Sequence, residues 1–406
     1  MDASLLIIGA GPAGLFAAWT ASQTPGARVL VIDRLPVPGA KLAAAGGGRG
    51  NLSHLASEEE FAAAFGRHGR FTLPAFRELP PAVLCERLAS IGEPAEADPA
   101  GRIYPRSQSA SRVRDALAAA CRRQGVRFVT GHAVRRLHPP GRDAEPWQVD
   151  NFTARRVLLA AGGASAPRLG SDGSGFTLAA ALGYEVVPPV PALTPLRTEE
   201  IWPARHSGVS LSGAGLAIDG ARGPGAGVRG EILFTHRGLS GPAVLNLSGR
   251  IARLLRDRPT VSLRLRFVDE LPDFDRLRKT AGARTLTAEL AARLPRALAG
   301  TLLELSGIPP DLPVSRLPRP AQETLERHLR ACPLTIRATG GFEESMVTSG
   351  GVSLSQIRPD TLEGRLTPRL FFAGEILDLD APTGGWNLHW AFCSGHLAGR
   401  TASASA

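Results

Sequence analysis

The chain has 406 residues, 43% of them hydrophobic, and its 47 Lys and Arg against 37 Asp and Glu leave a formal net charge of +10. That length can bury a large core and suggests two or three domains, while no apolar run reaches the roughly 18 residues of a membrane span. Four cysteines (Cys85, Cys121, Cys332, Cys393) without CxxC or metal spacing exclude a disulfide framework and a zinc site, so no metal is expected.

The start, "MDASLLIIGAGPAG", lacks a basic opening and carries Asp2, so it reads as a strand entering a turn rather than a secretion signal, and a cytoplasmic address follows. "RVLVID" at 28 to 33 is a second buried strand, and the two with the intervening apolar helix make a βαβ unit. A glycine-rich loop at 38 to 54 comes next, then helical stretches around 56 to 92 and 108 to 124. "VRFVTGHAVRRL" and "WQVDNFTARRVLLAAGG" read as strands. From about 190 the texture changes to a proline-rich, turn-rich segment with short β-like runs, "EILFTH" and "VSLRLRFV" among them. Residues 272 to 330 look helical, and "RLFFAGEILD" is a buried strand ahead of a final helix in "PTGGWNLHWAFCSGHLAGR". The expected organisation is a first αβ part over 1–190, an insertion over 191–342 (β-rich at 191–271 and 331–342, helical at 272–330), and the rest of the αβ domain over 343–406.

Gly9, Gly11 and Gly14 form GxGxxG between strand and helix, with Pro12 and Ala13 inside the motif. The first glycine allows the tight turn, the second lets backbone approach a pyrophosphate, and the third lets the helix lie against the sheet. The helix start offers unpaired N–H groups to phosphate, and Asp33, followed by Arg34, stands where a carboxylate accepts ribose hydroxyls. "GAGVRG" at 225–230 fits the same pattern without the strand before or the helix after it, and is assigned to a loop. Further glycine segments at 46–50 (Gly46, Gly47, Gly48), at 161–165 (Ala161, Gly162, Gly163) and at 382–387 (Thr383, Gly384, Gly385, Asn387, then Leu388) are more close approaches than a nicotinamide site needs. A long cofactor with a flat ring would use them, which points to non-covalent FAD. Gly374 and Glu375 follow a strand, where an acid could meet the ribityl or pyrophosphate region. The amides of Gly385 to Leu388 would face the flavin's pyrimidine edge, where the helix dipole favours negative charge. No second dinucleotide fingerprint is present, so any NAD(P)H docks transiently.

"GAGPAG", "KLAAAGGGRGN", "GRIYPRS", "LLAAGGASAPRLGSDGSG", "FTHRGLSGPA" and "FFAGEILDLDAPTGGWNLHWAFCSG" resemble, in that order and over nearly the whole chain, the YhiN-type bacterial flavoproteins, a group that includes aminoacetone oxidase and bile-acid ketosteroid reductases. The resemblance implies an α/β, glutathione-reductase-like Rossmann FAD domain built from both chain ends, with an inserted β-barrel-like and helical domain. It implies that the opening loop wraps the cofactor, with Lys41, Arg49 and Asn51 near pyrophosphate and flavin, and Ala133 and Val134 are also assigned to the cofactor. The chain departs from the family pattern at Gly50, where Cys is common, at Ser109 (Lys), Trp386 (Tyr), His389 (Gln) and Asp33 (Glu).

The expected activity is an FAD-dependent oxidoreductase moving hydride through flavin N5 to or from a small organic substrate: either an unsaturated or carbonyl-conjugated compound is reduced with NAD(P)H as the reductant, or a small amine is oxidised and the flavin reoxidised by oxygen, and the sequence leaves both open. Candidates for a proton donor or ring contact are His389, Trp386 and Tyr104, and His236 is a candidate for facing the substrate; each has a structural alternative: a satisfied helix histidine, packing, packing before Pro105, and turn structure. The alternatives for the whole chain are an FAD-dependent RNA-modifying enzyme, raised by the basic charge, or a flavin-binding protein without turnover. Lys only at 41 and 279, and no basic block longer than two residues, argue against nucleic acid as the main partner. The oligomeric state is left open.

Overall fold

The computed structural model describes residues 1–142, 145–223, 226–280 and 284–404. They divide into two compact units, one of Met1–Val190 with Met346–Ala406, the other of Pro191–Ser345.

The first unit is built on a seven-stranded sheet. Across it run Arg127–Thr130, Val29–Asp33, Ala3–Ile8, Phe152–Leu159, Trp147–Val149 and Leu137–His138, and Leu370–Phe372 also pairs with Phe152–Leu159. The pairs around the first strand are parallel, with Leu5 opposite Val29 and Leu6 opposite Val157, and Leu370 is opposite Val157 as well. These strands read "LLII", "VLVI" and "VLL" without alternation because they are buried on both faces. Their carboxyl ends, at Ile8, Asp33, Leu159 and Phe372, lie side by side, the edge outside which open parallel sheets bind ligands.

Two helices set that edge. The first, Pro12–Ala21, is buried almost throughout, with Pro12 at its start and Gly11 as an extended N-cap residue without a side-chain cap bond. The last, Trp386–Ala404, lies directly on it: a Cβ at Gly395 would strike the Ala13 carbonyl, and one at Gly399 the Ala17 carbonyl. Two glycines four residues apart on one face thus allow backbone contact between helices from opposite chain ends. A small antiparallel sheet, Ser53–His54, Arg102–Pro105 and Ala95–Ala97, carries the end of the opening glycine loop.

The second unit is a closed barrel in the order Leu196–Thr198, Gly238–Ser240, Gly227–Thr235, Ser210–Ile218, Val261–Arg266 and Cys332–Thr339. Val261–Arg266 alternates buried and exposed residues, as a barrel wall with one wet face requires. The helices Phe274–Thr280, Leu286–Leu290, Arg296–Leu305 and Arg319–Ala331 follow, and Leu298, Leu302, Leu325 and Leu329 share a core with the barrel. Two sequence expectations change here. Pro242–Leu254 is a helix inside the segment read as β-rich; its Val244, Leu247 and Ile251 recur at helical spacing and are buried behind a proline start. Residues 227–230, read as loop, open a barrel strand, while Gly225 lies outside the described residues.

Candidate functional site

The three glycines of the fingerprint do different work. A Cβ on Gly9, whose φ is +103°, would strike the Ala160 carbonyl, and one on Gly14 would strike the Gly9 carbonyl. Both are glycine because protein backbone occupies the space. Gly11 has an ordinary φ of −69°, and nothing lies within 4 Å of where its Cβ would stand. The room at Gly11 is kept clear of protein, beside uncapped amides at the start of a helix, as a pyrophosphate would require.

Asp33 closes its strand beside this turn. Its carboxylate accepts from the amides of Ala10 (2.5 Å) and Leu35 (2.7 Å). Burial raises its carboxyl above the usual range, opposed by those two amide bonds. The loop with Ala133 and Val134 follows the next strand and is tied to the same place by His132 N–H on the Asp33 carbonyl (3.0 Å) and Gly131 N–H on that of Leu35 (3.1 Å). Ala133 is exposed and Val134 buried. Arg34 is ion-paired with Asp172.

The opening loop meets both remaining glycine segments of this unit. Lys41 Nζ donates to Glu375 Oε2 (2.6 Å) and to the Ser165 carbonyl (3.2 Å). Glu375 Oε1 accepts from Thr348 N–H (3.0 Å) and Thr348 Oγ1 (2.9 Å), and Thr348 Oγ1 accepts from the amides of Ala164 (2.8 Å) and Ser165 (3.1 Å). A Cβ at Gly163 would come within 2.6 Å of Glu375 Oε1. Glu375, Lys41, Thr348 and the backbone after Ala161 and Gly162 therefore form one clasp. Thr348 and Ser165 were not singled out from sequence; a threonine before "SGG" carries no local signal of this role.

Around residues 46 to 54, Gly46 and Gly47 take left-handed φ of +58° and +66°, and no protein atom stands near a Cβ at Gly47 or Gly48. Arg49 donates twice to Gln108 Oε1 (3.0 and 2.8 Å) and lies 4.8 Å above the Tyr104 ring, which is buried. Tyr104 is thus covered by a guanidinium, a packing position. Asn51 Oδ1 is buried without a hydrogen-bond partner and would lie 2.8 Å from a Cβ on Gly385. Gly50 has φ +82° and a Cβ there would meet Pro105 and Ala110 at 3.2 and 3.3 Å, so the departure from Cys suits its tight seat.

The last glycine segment is held by its own side chains. Asn387 Oδ1 accepts from Ala381 N–H (2.9 Å) and Nδ2 donates to the Ala381 carbonyl (2.7 Å). Its side-chain amide is therefore bonded to the loop, which fixes the backbone of the segment. Thr383, Gly384, Gly385, Trp386 and Leu388 are half-exposed, with φ +125° and +99° at the two glycines. Gly374 is pinned by the last helix: its N–H donates to Ser394 Oγ (2.9 Å), and its carbonyl accepts from Trp390 Nε1 (3.3 Å).

His389 does not face this opening. Its ring is fully buried, Nε2 donates to the Leu79 carbonyl (2.8 Å), and Nδ1 therefore accepts from Ser53 Oγ (2.8 Å). Burial pushes its pKa down to about 4. Both nitrogens are committed and the ring is neutral, so the expectation of a proton donor gives way to a structural tie between the last helix and the opening loop. His236 is exposed in the second unit, between the strands Gly227–Thr235 and Gly238–Ser240.

Room at Gly11, Gly47 and Gly48, uncapped helix amides, a carboxylate at Asp33 and an orphaned acceptor at Asn51 fit a long dinucleotide with a ring, as FAD would present. Bound there, FAD would supply two-electron hydride chemistry. Among the described residues no group of metal-ligating side chains is found, and no helix is long and apolar enough to cross a membrane.

Comparison with known proteins places the chain in a family. The chain is 35% identical to the 3-dehydro-bile acid delta(4,6)-reductase of Clostridium scindens, covering 98% of each chain. It is 30% identical to the ribosomal RNA dihydrouridine synthase of Escherichia coli, over 96% of this chain and 95% of that one. Among solved structures, 3-ketosteroid delta1-dehydrogenase from Sterolibacterium denitrificans shares the fold, with a TM-score of 0.55 at 15% identity and full coverage of both chains. The model of the HI0933-like protein Rossmann domain matches residues 3–401, and the chain belongs to that family of FAD-dependent flavoprotein oxidoreductases.

Proposed function

We propose that the protein reduces a carbon–carbon double bond conjugated to a carbonyl in a small organic substrate, with NAD(P)H as the source of electrons. The named reactions of the two relatives share this chemistry: a 4,6-diene beside a 3-ketone in one, and in the other a uracil ring whose 5,6-double bond is conjugated to its C4 carbonyl. The observation that carries the reading is the meeting of the opening loop with Glu375 and the Ala164–Ser165 backbone at the Lys41, Glu375 and Thr348 clasp, where a Cβ on the neighbouring Gly374 would lie 2.8 Å from Ala13 of the fingerprint. In this reading Gly11 and the first helix hold the pyrophosphate, Asp33 the adenosine ribose, and the half-exposed Gly384–Leu388 backbone the pyrimidine edge of the ring.

The test is to purify the protein, reconstitute it with FAD, and record bleaching under nitrogen with NADH and with NADPH. The reduced protein is then mixed anaerobically with androst-4-ene-3,17-dione, a simple enone. Return of the oxidised spectrum with formation of the saturated ketone is the expected result. Failure to bind FAD, or reoxidation only by oxygen, would overturn it. A second reading, reduction of uridine in RNA, draws on the second relative and the charge of +10. Retention on ribosomal RNA with steep salt dependence, and dihydrouridine in the product, would select it; no retention at low salt removes it.

A further inference from the structure

The titratable side chains on the loops that carry the site are nearly all committed. Asp33 accepts two backbone amides, Lys41 and Glu375 hold each other, His389 is tied to Ser53 and Leu79, and Tyr104 lies buried under Arg49. His54 differs. It ends the two-residue strand after the opening glycine loop and is half-exposed, and its ring makes no hydrogen bond among the described residues; Nδ1 is buried without a partner.

The ring is nevertheless firmly seated. It stacks on the indole of Trp386, with centroids 4.7 Å apart and planes 25° from parallel. Its Nε2 is 3.1 Å from where a Cβ on Gly101 would stand, and its Nδ1 is 3.9 Å from a Cβ on Gly384. Two glycines of left-handed φ, +79° and +125°, thus leave room for an imidazole. A buried ring nitrogen with no protein partner is costly unless something else bonds it. It lies beside the Gly384–Gly385 backbone assigned above to the ring's pyrimidine edge.

We infer that His54 is the side chain that exchanges a proton with the redox reaction at this site. The inference rests on the proposed reading of bound FAD. When NAD(P)H delivers two electrons and a hydrogen as hydride, the site gains negative charge, and His54 takes one proton from solvent. When an enone is reduced, the hydride goes to the carbon β to the carbonyl and the His54 proton to the α carbon. The C=C π bond breaks, two C–H bonds form, and the imidazole returns to neutral. Added negative charge favours the imidazolium, and the face of the stacked indole attracts a cation. The charged and titratable groups facing it are few. Arg102, opposite in register, opposes protonation but is paired with Asp98 at 2.7 Å; Tyr104 is on the same strand as Arg102; and His389 on the last helix faces Ser53 and is neutral.

The experiment measures the midpoint potential of the FAD-loaded protein against pH around neutrality, which counts the protons taken up with two electrons. The wild type is expected to take up two, and His54→Gln and His54→Asn one each. Equal counts in wild type and variants would overturn the role of His54 while leaving the FAD reading intact; a wild type that binds no FAD would sink that reading itself. Should both variants lose FAD, the wild type alone decides. With 13C-labelled histidine, one imidazole in contact with an indole and perturbed by Trp386→Phe should become protonated on reduction. No histidine changing its protonation on reduction would overturn the inference.

Discussion

Replacing each fingerprint glycine by alanine should separate folding from cofactor binding. At Gly11 the backbone already has φ −69° and ψ −174°, and a Cβ meets no protein atom within 4 Å. Gly11→Ala therefore costs the apoprotein nothing and, by restricting the unfolded chain, stabilises it by about 0.4–1 kcal/mol, about 1–3 °C in melting temperature for a unit of this size. The same methyl stands where a phosphate would approach. Pushing that group away loses one or two charge-assisted bonds from backbone amides, about 1.5–3 kcal/mol each. Taking about 3 kcal/mol as the loss, Kd for FAD rises about a hundredfold. Gly14→Ala is the opposite case: its Cβ strikes the Gly9 carbonyl, backbone that cannot move aside cheaply, so the first helix is pushed off the sheet at about 1–3 kcal/mol or more. Calorimetry of the two apoproteins and FAD titration by flavin fluorescence measure both quantities. The reasoning is refuted if Gly11→Ala lowers the apoprotein's melting temperature as Gly14→Ala does, or if it binds FAD as tightly as wild type.

The Lys41–Glu375 pair, with both side chains about four-fifths buried, should show a coupling of about 1–3 kcal/mol in a double-mutant cycle of Lys41→Met and Glu375→Gln, read by chemical denaturation of the apoprotein; a coupling near zero would mean the clasp is not formed. Asn387→Ala removes both bonds to Ala381 and should cost about 1–2 kcal/mol while weakening FAD binding through the loosened Gly384–Gly385 turn, measurable in the same two assays. His389 titrates near 4 in the folded protein and near 6.5 when unfolded, so the unfolded state binds more protons in that window. The stability it contributes is complete above pH 6.5 and falls as pH drops toward 4, by up to about 3 kcal/mol. His389→Gln should be less stable at pH 7.5 yet decline less between 6.5 and 4 in urea midpoints; parallel curves would contradict the burial argument.

The legible parts of this protein were those set by local backbone demands. Consecutive apolar strands, the strand-turn-helix around Gly9 to Gly14, and Asp33 at a strand end all follow from what two or three neighbouring residues require. The glycine segments could be flagged for the same reason, since a bare backbone signals close approach. Which chain segment makes the approach is not local. Lys41 finds Glu375 across 334 positions, and nothing in "GAKLA" or "AGEIL" names the other. Trp386 and His389 are three residues apart on a helix, close enough in angle to be read as facing one way. The boundary between buried and open falls between them, so one is half-exposed and the other wholly enclosed. His54 carries no sequence signal, because a two-residue strand has no periodicity to mark its face. The helix Pro242–Leu254 is hidden among β-like, turn-rich neighbours, and only the spacing of its buried Val244, Leu247 and Ile251 marks it.

The pairing of Lys41 changes which cation meets a dinucleotide. The pyrophosphate of FAD carries two negative charges, and three basic side chains were expected around the cofactor: Arg34, Lys41 and Arg49. Arg34 is matched by Asp172 and Lys41 by Glu375, so each pair is close to neutral seen from a distance. Among the described residues Arg49 bonds only a neutral amide, Gln108, and it lies over a neutral ring. Its charge is uncompensated, and it sits on a loop whose Gly47 and Gly48 stand clear of protein. With FAD bound as proposed, the electrostatic share of binding would fall to Arg49 and to the amides at the start of the first helix, leaving Lys41 to hold the clasp. Arg49→Gln should weaken FAD binding about tenfold at low ionic strength and flatten its dependence on salt, because an exposed charge is screened by salt. Lys41→Gln should lower stability while leaving the salt dependence of Kd unchanged. Titrations of both apoproteins with FAD between low and high NaCl decide the matter: if Lys41→Gln flattens the salt curve and Arg49→Gln does not, the charge has been assigned to the wrong residue.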